Sequence, residues 1–476
     1  MSVLADLPHL KTIRDIAKRR RLEVYLVGGF LRDFMLGKPC FDFDFAVDKE
    51  AISLAKKFSD TIKGAFVLLD DEHGCARVVK KQKRQIYTFD FADYRANTIK
   101  KDLLHRDFTI NTFCLNVNEM KNETTVEDAF QDFRKGLPDL RAKRIKMASD
   151  KAFKKDPLRL LRAFSLRAIF DFKIEQDTQK QIKEDRDLIA DVSSERIREE
   201  LFKILETERA ASNLKAMDRF GLLSRIMPQI SIMFDVKQGT YHHLDVWPHS
   251  LETVVQLEKL IMEWRDDTDI TEYLNETIAG QHTRSALMKL GALLHDIGKP
   301  ETRRREKSRI SFHGHERVGK GITRSIARDL KLSTKERLAL EDMVLWHLRP
   351  GYLSNFKRPS ERAIFRYLRD TKEEAVSIAL LALADQRATR GPATTEQDIT
   401  HHTKICQDVI SRYFIKKKEK PFVRLINGDD LIENFNLHPS PLFKKILDDV
   451  EENQVTLRIR TKREALALAA KIAKKG

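Results

Sequence analysis

The sequence has little cysteine: Cys40, Cys75, Cys114 and Cys406 are the only four in 476 residues, and no CxxC spacing occurs. That excludes a disulfide framework or a zinc knuckle and fits a reducing, cytoplasmic setting. Long apolar runs are also missing. The longest, around Ala375–Ala384, is about half of the ~20 residues that a membrane span needs. The opening stretch MSVLADLPHLKTIRD carries no extended apolar core, so no signal peptide is expected. There are no repeats and no low-complexity segment. Carboxylates are in the minority: 72 Asp and Glu stand against 88 Lys and Arg, a net charge of +16. A basic surface of this kind suits a polyanionic partner, because Lys and Arg that meet phosphates release counterions.

What is present suffices for folded cores: 41% of the residues are hydrophobic and 34% charged. A chain this long exceeds one compact core, and about two to four units are expected. Residues 1–145 read as mixed α/β, with a helix over about 9–20. Strands are expected at Val24–Val27, 41–47, 65–70, 75–80 and 85–92, all rich in β-branched and aromatic residues. From about 150 onward the periodicity is helical. Residues 156–170 and 193–206 carry apolar side chains at three- and four-residue spacing. A histidine-rich grouping starts near His242 and ends near Arg390, and GPATT at 391–395 makes a joint. The tail contains Lys416–Lys418 and ends in a Lys-rich helix. The expected class is α+β: a mixed sheet in 1–145, then helical regions at 146–235, 236–395 and 396–476.

Residues 26–47, LVGGFLRDFMLGKPCFDFDFAV, carry the first candidate site. On a strand, residues two apart point the same way, about 6.6 Å apart, so Asp42 and Asp44 aim at one region. Like charges that close repel unless a cation sits between them. Hard oxygen ligands suit Mg²⁺, which takes one or two carboxylates plus substrate phosphates. Two ions about 4 Å apart could grip the attacking and leaving oxygens of a phosphoryl transfer. The plain reading of a bare DxD is a pair of solvated acids on an edge strand. Gly28 and Gly29 shift the balance, because a glycine turn between strand and helix lets backbone N–H groups approach a phosphate. Arg32, in the first turn of that helix, could fork onto phosphate oxygens.

LVGGFLRD…DFDFAV resembles the head-domain signature of class II tRNA nucleotidyltransferases, the CCA-adding enzymes, and of their bacterial poly(A) polymerase relatives. Three further segments match in order: LLHRDFTINTF (103–113), DPLRLLRAFSLRA (156–168) and INGDDLIENFNLHPSPLFKKIL (426–447). The resemblance implies a polymerase-β-like catalytic head, a helical neck that reads the base, and a body and tail that hold the tRNA acceptor arm. It implies tRNA, CTP and ATP as partners, Mg²⁺ in the head, and no membrane. Arg106 and Asp107, before a strand-like FTIN, would reach the sugar and triphosphate. Asp156, Arg159 and Arg162 lie at three-residue spacing on one side of a helix. There Asp accepts from an exocyclic amine and Arg donates to ring acceptors. The plain alternative is that Asp156 before Pro157 is a helix cap, and the two roles could coexist.

The pattern departs from the family in places. Lys155 precedes Asp156 where Glu is usual, Ser165 replaces a third arginine, His105 precedes Arg106, and HPSP replaces glycines in the tail. Only eight residues, Ala96 to Leu103, separate FADYR from LHRDF. A shortened segment there is associated in the family with addition of the two cytidines alone.

A second ordered set is TYHHLDVWPHSLETV (240–254), LLHDIGKP (293–300), FHGHE (312–316), WH (346–347) and LADQR (383–387). Histidine and carboxylate ligands on separate helices can converge on one or two divalent ions. The set resembles an HD-type phosphohydrolase domain. That resemblance implies His249, His295, Asp296 and Asp385 as ligands of a divalent metal, with His315 and His347 available to a second. Three rivals to tRNA nucleotide addition remain: a poly(A) polymerase, an enzyme whose HD domain is the active unit, and a non-catalytic RNA-binding protein.

Overall fold

The computed structural model describes residues 7, 9–83, 85–120, 125, 129–239, 242–306, 309–391, 395–419 and 423–474. Thr240 and Tyr241 of the histidine-rich set and 392–394 of the expected joint lie outside the described residues. The chain forms two units, residues 1–204 with 216–226, and 205–215 with 227–476.

The first unit is built on a seven-stranded mixed sheet of order β3-β4-β5-β2-β1-β6-β7. Its strands are β1 (Val24–Val27), β2 (Asp42–Val47), β3 (Ala65–Asp70), β4 (Cys75–Gln82), β5 (Gln85–Asp93), β6 (Cys114–Asn116) and β7 (Phe130–Gln131). Helix α1 (Leu10–Arg20) precedes β1, α2 (Gly29–Met35) follows it, and α3 (Ala51–Ile62) follows β2. β2 runs parallel to β5, with Phe43 opposite Phe89 and Phe45 opposite Phe91. Both ring pairs stack, with centroids 5.1 and 4.9 Å apart, and Phe58 of α3 packs edge-on against both partners on β5. Such pairs each contribute about 0.5–1.5 kcal/mol beyond area burial. They also fix the orientation of the strand: with the phenylalanines under α3, alternation turns Asp42 and Asp44 to the other face.

The strand-like FTIN is not a strand. Thr109–Asn111 form a 3-10 turn, and the strand starts at Cys114. The reason is local: the Asp107 carboxylate accepts from the Phe108 N–H at 2.7 Å and from Asn111 Nδ2 at 2.9 Å, which curls the chain. Beyond the sheet lie α4 (Leu158–Phe170), α5 (Gln176–Asp185) and α6 (Ser194–Leu205). The alternative reading of Asp156 as the cap of α4 is not realised. Pro157 occupies the cap position, with no side-chain cap bond, because Asp156 is taken by Arg196 at 3.0 and 3.1 Å.

The second unit is helical. Its main elements are α7 (Val246–Glu263), α8 (Arg284–Leu294), α9 (His315–Asp329), α10 (Thr334–Trp346), α11 (Glu361–Thr371), α12 (Ala375–Ala388) and α13 (Glu396–Lys418). α12 is apolar nearly all round and buried from Ala375 to Ala384, as expected of a central helix. Three further helices, α14 (Gly428–Phe435), α15 (Pro441–Val455) and α16 (Lys462–Ala473), enclose a small core that includes Leu431, Ile446, Val450 and Ala465. Capping boxes start α14 at Asn427 and α16 at Thr461. Buried Glu452 of α15 is held by Arg362 and Arg366 of α11.

Among the described residues, no helix is long and apolar enough to cross a membrane.

Candidate functional site

Sheet, turn and α4 of the first unit enclose a cavity of about 450 Å³. Gly28, Gly29, Asp44, Arg106, Asp107, Asp156, Arg159 and Arg162 all line it. Residues separated by more than a hundred positions thus meet around one space. Two sequence-nominated residues are not among its lining. Arg32 turns its guanidinium to Asp33 at 2.8 Å and to Asn111 at 2.5 Å, and lies 4.3 Å over the Phe170 ring. Asp42, at the start of β2, is exposed.

The cavity's electrostatics follow from burial. Desolvation pushes the Asp44 carboxyl above its ordinary value, and Arg106 only partly offsets this. Asp90, opposite Asp44 in the β2–β5 register, adds to the rise. Asp90 was not singled out from the sequence. Its signal was the alternation QIYTFDFA, which repeats that of β2. Arg77 engages both its oxygens at 2.8 and 2.7 Å. A half-buried carboxyl raised in this way is one that a hard cation would stabilise in its charged form. Two carboxylates are the number that a triphosphate-bound Mg²⁺ accepts, and of the pair only Asp44 lines the cavity.

Gly28 is required by its surroundings. Its φ is 80° and ψ −138°, and a Cβ there would stand 2.7 Å from Arg106 Nη1 and 3.2 Å from Asp44 Oδ2. Arg106 Nε is buried without a hydrogen-bond partner among the described residues. Burial alone would raise Asp107, but Arg162, Asn111 and the Phe108 N–H outweigh it and hold the carboxyl below its ordinary value. Arg162 Nε sits 3.0 Å from Asp107. Arg159 is committed to backbone carbonyls, at 2.5 Å to His105 and 3.2 Å to Arg106 and Ala152.

The second unit contains two candidate metal groups, His249–His295–Asp385 and Asp296–His315–His347, each with its ligand atoms within 4.8 Å of one another. His249 Nε2 is 2.9 Å from Asp385, and His295 Nε2 is 3.1 Å from Asp296. His315 Nε2 reaches Asp296 at 3.3 Å. His295, His315 and His347 each give Nδ1 to the backbone carbonyl three residues earlier, at 2.8, 2.8 and 2.7 Å. With Nδ1–H donating there, each Nε2 lone pair faces the cluster, the arrangement of a metal-ligating imidazole. His315 Nε2 and His347 Nε2 then confront each other at 3.3 Å, which is repulsive unless a cation or proton lies between. Burial strips His347 down to about 3. For His295 burial acts the same way, but Asp296 and Asp385 outweigh it and push the ring up to about 10. The donor set therefore fits divalent ions. Gly298 makes room for this geometry: a Cβ would meet His315 O at 2.2 Å and Gly319 N at 2.5 Å. Lys299, which the sequence reading left aside, places Nζ 2.6 Å from Asp296. Its signal was its position three residues after that aspartate.

Comparison with known proteins bears on both sites. Residues 24–146 match the poly A polymerase head domain and 246–390 the HD domain. Between and beyond them, 171–233 match an RNA and SrmB-binding site of polymerase A, and 393–470 match tRNA nucleotidyltransferase domain 2. The chain belongs to the poly(A) polymerase and tRNA nucleotidyltransferase family. Within that family it is 28% identical to the A-adding tRNA nucleotidyltransferase of Deinococcus radiodurans, over 93% of this chain and 94% of the relative. It is also 28% identical to the CC-adding tRNA nucleotidyltransferase of Thermus thermophilus, over 94% and 92%. In fold it is similar to a CCA-adding enzyme, with a TM-score of 0.64 at 20% identity, over 96% of this chain and 92% of that one. The cavity's lining is drawn from the head match, from Asp156, Arg159 and Arg162 at the start of α4, and from Arg196 of α6. Both metal groups lie within the HD match.

Proposed function

We propose that the chain is a metal-dependent tRNA nucleotidyltransferase that adds 3′-terminal CCA, or only CC, from CTP and ATP without a nucleic-acid template. The observation that carries this is the single cavity where Gly28, Asp44, Arg106, Asp107, Asp156 and Arg162 meet. Asp42 and Asp44 would hold Mg²⁺, which supplies positive charge to the reacting phosphate oxygens. Arg106, poised over Gly28 with Nε free, takes the triphosphate. Asp107 holds Arg162 in place. The tRNA 3′-hydroxyl attacks the α-phosphate and pyrophosphate leaves. Rate enhancement comes from positioning and charge stabilisation rather than covalent chemistry. The names of the two relatives, one A-adding and one CC-adding, frame the choice of product. The short segment 96–103 favours CC: Ile99–Asp102 is a helical turn capped by Thr98, and buried Asp102 accepts from the Arg95 N–H at 2.9 Å.

The proposed organisation is a head at 1–145, a base-reading neck at 146–235, an HD domain at 236–395 and a tRNA-holding tail at 396–476. Four free cysteines support a cytoplasmic setting. The basic tail, including Lys416–Lys418, would hold the acceptor arm salt-sensitively. A second activity, hydrolysis of a phosphoester by the HD unit, is favoured by the two ligand groups centred on Asp296 and Asp385.

The test offers purified protein tRNA ending at the discriminator base, or in CC, with labelled CTP or ATP. Products are sized to one nucleotide. Asp44→Ala should abolish incorporation and spare hydrolysis, whereas His295→Ala should do the reverse. Incorporation that survives Asp44→Ala would sink the assignment.

A further inference from the structure

We propose that Arg32 is a positioning residue of the nucleotide site: it does not line the cavity, and it acts through Asn111 to hold the Asp107 carboxylate with one oxygen turned to the sugar of the bound nucleotide. The inference rests on the nucleotidyltransferase reading above, with Asp107 within reach of the sugar.

Arg32, Asn111 and Asp107 are all buried, at 7%, 4% and 6% exposure. Arg32 Nη1 donates to Asn111 Oδ1 at 2.5 Å, and Asn111 Nδ2 donates to Asp107 Oδ1 at 2.9 Å. The Asn111 amide is thus gripped at both ends. Turned over, it would set its N–H groups against the guanidinium and its oxygen against the carboxylate, so its two neighbours fix one orientation. Asp33 takes the Nε side of Arg32 at 2.8 Å, and the guanidinium lies 4.3 Å over the ring of Phe170, the last residue of α4. Lys38 Nζ lies 4.4 Å from the centre of the same ring and donates to the Ile169 carbonyl at 3.3 Å. α2 is therefore seated on the end of α4, and Arg32 carries that seat inward to Asp107. Arg162, earlier on the same helix, meets Asp107 from the other side.

This chain of bonds decides which oxygen Asp107 offers. A carboxylate has about four lone-pair sites. On Oδ1, the Phe108 N–H at 2.7 Å and Asn111 Nδ2 occupy both. On Oδ2, Arg162 Nε takes one at 3.0 Å. One site on Oδ2 is left over, on a residue that lines the cavity. A lone open acceptor suits a hydroxyl donor, and the hydroxyls of a nucleotide are on its sugar. The torsion that turns an aspartate carboxylate is soft and two-fold. The bond from Asn111 is what selects Oδ1 for the backbone and Oδ2 for the cavity, and Arg32 is what keeps Asn111 turned that way. Arg32 thus serves the site from behind it, in place of the phosphate contact its position in the sequence suggests.

The experiment measures single-nucleotide incorporation into tRNA from CTP, 2′-deoxy-CTP and 3′-deoxy-CTP, with KM and kcat for each and the melting temperature of every variant. The wild type should prefer CTP over at least one deoxy form, because a site built to bond a hydroxyl rejects the analogue that lacks it. Arg32→Met removes the donor at similar length. It is expected to raise KM for CTP about tenfold and to narrow that preference about tenfold, with KM for the disfavoured deoxy form within about twofold. Arg32→Lys, which keeps charge and a donor, should recover part of the preference. Phe170→Leu keeps every hydrogen-bonding group and should move the preference the same way by less. In an Asn111→Ala background, Arg32→Met should add little further loss, since the two act as one unit. A folded Arg32→Met enzyme with its sugar preference intact overturns the proposal, as does an equal loss for all three nucleotides. Should Arg32→Met not fold, an unaltered preference in both Arg32→Lys and Phe170→Leu overturns it instead. A wild type that uses CTP and both deoxy forms equally overturns this proposal and leaves the nucleotidyltransferase reading standing, whereas one that incorporates no nucleotide overturns both.

Discussion

Gly28 and Gly29 look interchangeable in the sequence, and the structure predicts that they are not. Gly28 has a φ of 80° with ψ −138°, close to a region that is essentially glycine-only and costs other residues about 1–3 kcal/mol. In Gly28→Ala the new methyl would also sit 2.7 Å from Arg106 Nη1. That contact can be relieved only by moving the guanidinium, and Arg106 Nε is buried, so the movement displaces the group proposed to take the triphosphate. At Gly29 the same methyl meets nothing closer than Arg32 Nη2 at 3.4 Å, and the backbone φ is ordinary. Gly29→Ala should therefore be neutral or stabilising by up to about 1 kcal/mol. For a unit of this size, Gly28→Ala should lower the melting temperature by roughly 2–12 °C. Loss of a charge-assisted hydrogen bond from Arg106 should slow CTP incorporation a further ~10- to 100-fold. Differential scanning fluorimetry reads the first effect, and single-turnover incorporation at a temperature where both variants are folded reads the second. Equal behaviour of the two alanine variants, in either assay, would refute the reasoning.

Three further outcomes follow from the electrostatics and the metal groups. Asp107 has a folded-state pKa below its unfolded value because Arg162 and two hydrogen bonds outweigh burial. Its stabilisation is therefore present at neutral pH and is lost as pH falls below about 3.8 towards the folded value. Asp107→Asn should flatten that part of the acid-unfolding curve measured by circular dichroism. In metal-depleted protein, added Mn²⁺ or Co²⁺ should raise the melting temperature of the wild type, because an ion that binds only the folded state stabilises it. His347→Ala should weaken that response, and an undiminished shift in the variant would exclude His347 as a ligand. Chelation of the HD site should leave nucleotide incorporation intact once Mg²⁺ is restored, as read by primer extension on tRNA.

The strands were legible where a two-residue rhythm of aromatics repeated. FDFDFAV and QIYTFDFA were readable because their phenylalanines pair across β2 and β5 under Phe58, so local pattern and tertiary packing agree. FTIN misled because its composition is strand-like, while the shape of the segment is set by a single carboxylate. Asp107 binds the Phe108 N–H and Asn111, and no propensity scale weighs such a bond. The alternative of a cap at Asp156 is ruled out for a longer-range reason. Arg196, forty positions away, outcompetes the helix N-terminus for the same oxygens, and a charge-assisted pair is worth more than a neutral cap. Arg32 was misplaced likewise: the sequence puts it in the right turn, but Asn111 and Phe170 decide where its guanidinium goes.

The histidines make the contrast sharper, because here the missing information was local after all. His295 and His347 are the C-terminal cap residues of α8 and α10. The last turns of a helix leave carbonyls without partners, and those of Ala292 and Val344 are the ones that take the Nδ1 protons. A histidine directly after an apolar helix is therefore biased towards one tautomer, with its Nε2 lone pair pointing away from the helix end. LGALLHD and DMVLWH both carry that arrangement in plain sight. Two such helix ends converge on Asp296, whose carboxylate stands 3.1 Å from His295 Nε2 and 3.9 Å from His347 Nε2; His315, at the start of α9, brings its own Nε2 to 3.3 Å from that of His347. The direction of the His295 and His347 Nε2 lone pairs is thus a consequence of helix termination, and the same reasoning predicts that lengthening α10 by one residue before His347 would destroy the ion-dependent stabilisation while leaving every candidate ligand in the chain.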